Sequence, residues 1–556
     1  MKFSDMPYER VNFEQVGKEL SGLIGELDAA ESGEEQFAIH QRYYKLTDHV
    51  NTLMTIGHIR HDINTLDEFY EKERKYYDEM EPIFQNQVLE YMQKLYASPY
   101  RDYLESKIGP VAFKNMEVAM KAFDERVITL SQEENALTTE YDQLIASAKI
   151  PFDGKELNLS LLRPYLVSPD RDIRRQAWQK KTEFFLRNAE KLDEIYDKLV
   201  RNRTAQAKAM GYENYLELGY YRMGRNCYGQ KEVENFRRQI KQYFVPFAEK
   251  LHDRRRQRLG LDRLSYIDQA VYFKQGNPAP TGTPEEIMAA GQKMYRELSQ
   301  ETGEFFDFMM ENQLFDVLGR KNKRAGGYMT YMPDYHSPFI FANFNGTSGD
   351  VDVVTHECGH AFQGYLSGQD PIREHADITM ETAEIHSMSM EFMTEDWMGL
   401  FFGDRKQDYI DMHLEDSAIF IPYGCMVDEF QHIVYENPDM TPAQRHTAWL
   451  QLEAEYRPHM DYGDNPFFGK GGLWQQQLHI YNSPLYYIDY CLAQTCALQY
   501  KIWKDRDFKA AWASYLKLCK LSASDFFTRM IPAVGLKNPF EDGSIQSLVK
   551  SLEASI

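Results

Sequence analysis

Cysteine is scarce and scattered in this chain of 556 residues. The six (Cys227, Cys358, Cys425, Cys491, Cys496 and Cys519) form no Cys-x-x-Cys pair and no dense framework. That usage excludes a disulfide-framed secreted scaffold and points to a reducing, cytoplasmic compartment. No run of 18 apolar residues occurs, and Met1 to Pro7 leads into no apolar stretch of secretory length. Neither a membrane span nor a signal peptide is therefore expected. Cationic residues are outnumbered, 63 Lys and Arg against 85 Asp and Glu, a formal net charge of −22 that argues against a nucleic-acid surface. Internal repeats and low-complexity segments are also missing. None of this fixes an oligomeric state.

What is present is material for a large core: 43% hydrophobic and 14% aromatic residues, in a length suited to roughly two to four domain-sized units. There is no proline between Pro7 and Pro82. From Val11 to about Asp142 the spacing predicts long helices, with aromatics on one side as in Leu66 to Tyr77. Ile150-Pro151-Phe152-Asp153-Gly154 is a turn, and Leu157-Asn158-Leu159 after it alternates like a short hairpin. Ser168-Pro169-Asp170 supplies a cap, an N-terminal proline and an early acid for a helix running towards Arg187. Residues 190–313 read as helical again, broken at Gly211, around Leu259 to Asp262, and at Gly276 to Gly282. The basic run Arg254-Arg255-Arg256 reads as an exposed helix face, with an anion site as the sharper alternative.

From 314 the texture becomes β-rich. Gly326 to Tyr331 and Pro338 to Phe344 are aromatic segments bounded by turn residues. An edge strand here would bind an extended peptide through its unpaired main-chain groups; an ordinary structural hairpin is the plain alternative.

Directly after comes Val354-Thr355-His356-Glu357-Cys358-Gly359-His360-Ala361-Phe362. On an α-helix His356 and His360 are offset by about 40° and one turn, so both imidazoles can reach one Zn²⁺ at about 2.1 Å. Glu357 stands about 100° round from His356, beside such a metal, where a carboxylate takes a proton from water. Cys358 points away and reads as a small apolar packing residue. A catalytic zinc keeps three protein ligands. The metzincin continuation would need Gly at 363 and His at 366, where this chain has Gln363 and Leu366. The next acidic helix, Met380 to Met393, is rich in Met and Phe, so a carboxylate in it needs a partner. On spacing alone Glu381, Glu384 and His386, with His375 and Asp377 just upstream, are all candidates for the third ligand.

Thr355-His356-Glu357-x-Gly359-His360-Ala361, followed by Ala383-Glu384-Ile385-x-Ser387 with Glu384 24 residues after His360, resembles the thimet oligopeptidase and oligoendopeptidase F family of zinc metallopeptidases. The bacterial oligoendopeptidase F (Pz-peptidase-like) branch is the best match. This chain departs from the branch at His386 and Met388, where Ala and Thr are usual. The likeness extends over roughly 200–540, including His479-Ile480-Tyr481-Asn482-Ser483-Pro484-Leu485-Tyr486-Tyr487-Ile488-Asp489-Tyr490.

The resemblance implies Glu384 as third ligand of one Zn²⁺ per chain with His356 and His360, and Glu357 as general base. It implies that His479 and a pair of tyrosines hold substrate and stabilise the transition state: Tyr490 with Tyr487, or Tyr486 in place of Tyr487. In a chain with 37 tyrosines such a cluster would otherwise read as core packing. Substrate contacts are expected at Phe339, Ala342 and Asn343 of the strand, and at Gly471 in a Gly469-Lys470-Gly471-Gly472 loop like one that closes over peptide. The implied fold is mostly α, with a deep cleft and a small sheet beside the metal helix. Residues 1–190 would roof the cleft and 191–556 form the catalytic domain. The implied activity is zinc-dependent endopeptidase action on short unstructured oligopeptides.

Overall fold

The structure, a computed structural model, describes residues 1–320, 322–324 and 326–555. It is mostly α, with two small sheets. Among the described residues no helix is long and apolar enough to cross a membrane. Two compact units share the chain discontinuously. The first holds Met1–Met120, Ala279–Lys406 and Gln499–Leu536; the second holds Lys121–Pro278, Gln407–Leu498 and the residues from Lys537 onward.

In the first unit the N-terminal segment forms the expected long helices, Phe13–Ala29, Gly33–Ile63 and Glu68–Tyr96. Each is capped by a side chain that accepts from a first-turn N–H: Asn12 from Gln15, Ser32 from Glu35, and Asp67 from Phe69 and Tyr70. Their facing apolar stripes make one core in which Tyr43 and Tyr91 stack with ring centres 4.1 Å apart.

Three strands follow in the same unit: β3 (Phe315–Leu318), β4 (Tyr328–Met332) and β5 (Ser337–Phe344), in the order β3-β5-β4. β5 is therefore the central strand, parallel to β3 and antiparallel to β4. This corrects the expectation of an edge strand at 339–343. Almost every residue of β5 is buried, which gives a continuous apolar run in place of a one-sided alternation. Phe339 packs on Phe3, Ala342 is fully buried with its carbonyl accepting from Lys323 Nζ, and the Asn343 side-chain amide donates to the carbonyls of Arg324 and Gly326. All three residues hold the sheet together.

In the second unit β1 (Ile150–Phe152) and β2 (Lys155–Leu157) form a hairpin, placed earlier than the expected one: the segment expected to turn supplies its first strand, while Asn158 caps a helix, Leu159–Leu166. The helix expected from Ser168-Pro169-Asp170 is longer than expected, Arg171–Ala209, and is capped by Asp170, which accepts from the N–H groups of Asp172 and Ile173; Ser168 and Pro169 stay outside it. Residue 190 lies within this helix. The basic run is not uniformly exposed. Arg255 is buried and donates to Gln269 O and His252 Nδ1, Arg256 pairs with Asp253, and Arg254 faces solvent.

Buried histidine gives this unit a pH limit. Burial pushes the His432 imidazole, which accepts from Tyr220 OH, down to about 4, against an ordinary value of about 6.5. Between those values the unfolded chain binds the extra proton and the folded chain does not. Stability is thus full above about pH 6.5 and falls as pH drops towards 4. The Tm of metal-free His432→Gln, followed by circular dichroism, is expected to fall less steeply than that of the parent over this window.

Candidate metal centre

The motif helix, Gly349–Ser367, starts where β5 ends. Asp350 accepts from the N–H groups of Asn345 and Gly346, both at 2.8 Å, and so turns the strand into the helix. The second helix of the site, Met380–Met393, lies against it. At the crossing stands Gly359. A Cβ there would lie 2.6 Å from Ser387 Cα and 2.7 Å from the His386 carbonyl oxygen, so only glycine permits this approach. Tyr515 OH donates to that same His386 carbonyl, and Tyr295 OH donates to the Val354 carbonyl, which ties each helix to a neighbouring one.

This contact brings Glu384 between the two imidazoles. Glu384 Oε2 is 3.4 Å from His356 Nε2 and 3.5 Å from His360 Nε2, and the three donor atoms all lie within 4.8 Å of one another. Those separations exceed ordinary hydrogen bonds. They match the edge of a tetrahedron of ligands about 2.1 Å from zinc, roughly 3.4 Å. The residues present therefore fit a divalent ion. The alternative ligands sit elsewhere: Glu381 accepts from Thr379 Oγ1, His375 donates to Asp370, and Asp377 is not part of the cluster. His386 is buried and held neutral, pushed down to about 3 by burial and then by His360.

The electrostatics favour a cation. Burial opposes charge on His356, but the carboxylates of Glu384, beside Nε2, and Glu391, which accepts from Nδ1, outweigh it and raise the imidazole well above its ordinary range. Burial likewise opposes charge on Glu384, yet His356 and His360 hold it well below the carboxylate range. A site that stabilises positive charge on His356 also stabilises a metal in its place.

Glu391 was not singled out from the sequence. His356 Nδ1 donates to Glu391 Oε1 at 2.5 Å, which leaves Nε2 as the ligand atom and holds the ring. Its position seven residues after Glu384, two helical turns on, was the available signal. Ser387 Oγ donates to Glu384 Oε2 at 3.0 Å and plays the same part for the carboxylate. Glu357 is half-buried, as His356 and His360 are, whereas Cys358 is fully buried and its thiol is driven up by burial. Cys358 is a packing residue.

Among the described residues one other cluster, Glu249, His252 and His459, has metal-ligand types close together. It differs where it matters. Glu249 Oε1 and His459 Nδ1 are 2.6 Å apart, a hydrogen bond rather than a ligand edge, and His252 Nδ1 accepts from Arg255 Nη2 at 2.8 Å. With its lone pair taken and a guanidinium beside it, this is a stacked neutral pair with rings 3.5 Å apart.

The second unit holds the aromatic set. His479 lies 5.0 Å from the Tyr487 ring and 5.8 Å from those of Tyr486 and Tyr490; Tyr486 and Tyr490 are 4.7 Å apart. His479 Nδ1 accepts from Gln477 Nε2, whose own Oε1 accepts from Tyr423 OH. On the buried side Arg203 donates to the Tyr481 carbonyl and to Tyr435 OH. Gly471 has φ +88, and a Cβ on it would meet the His446 carbonyl oxygen at 2.3 Å. Gly471 and Gly472 donate to the carbonyls of Phe468 and Phe467, so this turn is packed in place.

Two substitutions probe the centre. Gly359→Ala is expected to lower the Tm and the zinc content together, at a cost of about 3 kcal/mol or more, because the added methyl meets backbone. Glu391→Gln is expected to keep the Tm and weaken zinc affinity by about 10- to 100-fold in chelator competition.

The chain matches the peptidase M3 N-terminal domain over residues 3–123 and peptidase family M3 over 165–287 and 294–549. A structure of Pz peptidase A with an inhibitor is 46% identical, with TM-score 0.95 over 100% of this chain and 99% of that one. A structure assigned as an oligoendopeptidase F is 45% identical, with TM-score 0.95 over 100% and 98%. A third, assigned as an oligoendopeptidase F from Bacillus anthracis, is 40% identical, with TM-score 0.91 over 100% and 98%. Comparison with curated proteins gave no match. On this evidence of sequence and fold, the chain belongs to peptidase family M3, with the oligoendopeptidases F, and is a metallopeptidase that acts on peptides.

Proposed function

We propose that this protein is a zinc endopeptidase that hydrolyses internal bonds of short, unstructured oligopeptides in the cytoplasm. The observation that carries the reading is Glu384 Oε2 standing a tetrahedral edge from both His356 Nε2 and His360 Nε2, with a carboxylate next to His356 in the chain, Glu357. The likeness to Pz peptidase A and the oligoendopeptidases F supports the substrate class. The six cysteines, scattered without a Cys-x-x-Cys pair or dense framework, support a reducing compartment.

His356, His360 and Glu384 would hold one Zn²⁺ per chain, with Glu391 and Ser387 orienting the ligands. When bound, zinc supplies Lewis acidity, making water nucleophilic near neutral pH and polarising a carbonyl. Glu357 takes the proton of the attacking water and passes it to the leaving amine. On the family resemblance, a hydroxyl of Tyr490 or Tyr487 donates to the oxyanion, with Tyr486 as the alternative to Tyr487, and His479 contacts the substrate.

The test uses quenched peptides with free and with blocked termini, read by mass spectrometry with and without chelator. Cleavage of blocked peptides, lost on chelation and restored by zinc, is expected; a requirement for a free C-terminus would instead mark a carboxypeptidase. Glu357→Gln is expected to retain zinc and lose on the order of 10³-fold in kcat. Glu384→Gln is expected to lose tight zinc binding, and a variant that kept it would remove Glu384 from the ligand set.

A further inference from the structure

The turn that delivers the tyrosines is strained and clamped by buried charge. Leu485, fully buried, has φ +68, a left-handed conformation that L side chains keep only where the surroundings impose it. Both of its peptide groups are engaged. Its N–H donates to Gln431 Oε1 at 2.9 Å, and its carbonyl accepts from Arg225 Nη2 at 2.5 Å. The same Arg225 nitrogen donates to Asp489 Oδ1 at 3.0 Å, which also accepts from Tyr228 OH at 3.0 Å.

Arg225 and Asp489 both have 0% side-chain exposure, and Arg225 Nε and Nη1 are buried with no hydrogen-bond partner. A buried ion pair with unfilled donors is a poor device for stability alone. A strained peptide beside it is another. The two coincide at the turn that leads from His479 to Tyr486, and Asp489 lies on the first turn of the helix Tyr487–Arg506, between Tyr487 and Tyr490. Gln431 comes from a separate helix, Lys406–Glu436, so three elements converge on one peptide.

We propose that Arg225, acting with Asp489 and Gln431, is a positioning residue for peptide hydrolysis: it forces the left-handed turn at Leu485 that sets the Tyr486, Tyr487 and Tyr490 hydroxyls relative to His479. It touches no substrate and acts through the tyrosines. The inference rests on the reading above that those tyrosines serve the reaction.

The experiment is steady-state kinetics on a quenched peptide with the zinc-loaded full chain, alongside Tm and zinc content. Arg225→Lys keeps a charge opposite Asp489, but its side chain is one bond shorter and falls short of the Nη2 position that serves both partners. It is expected to lower kcat by up to about 100-fold, with KM within a few-fold and zinc content unchanged. Gln431→Met, which removes the acceptor for the Leu485 N–H along with an Nε2 donor to the Val427 carbonyl and leaves Arg225 in place, gives an independent reading with the same expectation. In a Tyr487→Phe/Tyr490→Phe background, Arg225→Lys is expected to add little further loss, since the groups it positions are gone.

An unchanged kcat in folded Arg225→Lys and Gln431→Met overturns the proposal, as does a loss that multiplies fully with that of the tyrosine variants. Loss of zinc in step with kcat overturns it too. Tyrosine variants that lose rate while the Arg225 and Gln431 variants do not would overturn the positioning role alone. Should Tyr486→Phe, Tyr487→Phe and Tyr490→Phe each keep full kcat, the catalytic reading of the tyrosines falls, and the positioning role with it.

Discussion

The approach of the motif helix to the helix Met380–Met393 at Gly359 is the contact on which the candidate metal centre depends. Two of its donor groups come from one helix and the third from another, and a carboxylate side chain is short. Glu384 reaches the imidazoles because the backbones meet without an intervening side chain: the Cβ position of Gly359 is filled by Ser387 Cα and the His386 carbonyl oxygen. The same crossing places Ser387 Oγ on the ligand carboxylate and Glu391, two turns along, on His356. The hydroxyls of Tyr295 and Tyr515 each hold a backbone carbonyl of one of the two helices. One close contact thus sets ligand spacing and ligand orientation together.

Charge completes what packing begins. Burying Glu384 and Glu391 near each other would be costly without a positive partner. His356 lies between them and takes that role, as its raised imidazole shows. The contrast with Glu249, His252 and His459 is instructive, because residue types alone do not separate the two clusters. Distances and neighbours do. In one, donor atoms stand a tetrahedral edge apart among carboxylates; in the other they are hydrogen-bonded and faced by Arg255.

The second unit orders its functional segment by different means. Residues 478–490 have short helices and turns, with little regular backbone pairing of their own. Buried arginines supply what is missing: Arg203 holds the Tyr481 carbonyl and Arg225 the Leu485 carbonyl. Guanidinium groups suit this work, since one planar fork satisfies several fixed oxygens at once. They also explain how a chain of net charge −22 uses cations as internal struts, so the overall charge describes its surface more than its interior.

How much of this was legible in the sequence follows from how local each feature is. Helical periodicity, capping residues and the His-Glu-x-x-His spacing are properties of a single turn, and they were read correctly from His356, Glu357 and His360 as the residues of one helix. Cys358 was read correctly as packing, because a helix fixes side-chain direction within one turn. The position of β5 was not legible: whether 339–343 lies at an edge or at the centre depends on β3 joining it in parallel across the sheet, and no local pattern records a distant partner. The third ligand stayed open among five residues until a family pattern was invoked, and Glu391 and Arg225 passed unnoticed. Sequence by itself determined that His356, Glu357 and His360 share one helix, at a spacing suited to a metal. Tertiary structure alone decided which carboxylates meet the imidazoles, which arginine holds the tyrosine turn and which strand is enclosed, because those choices are made where segments far apart in the chain compete for the same few ångströms.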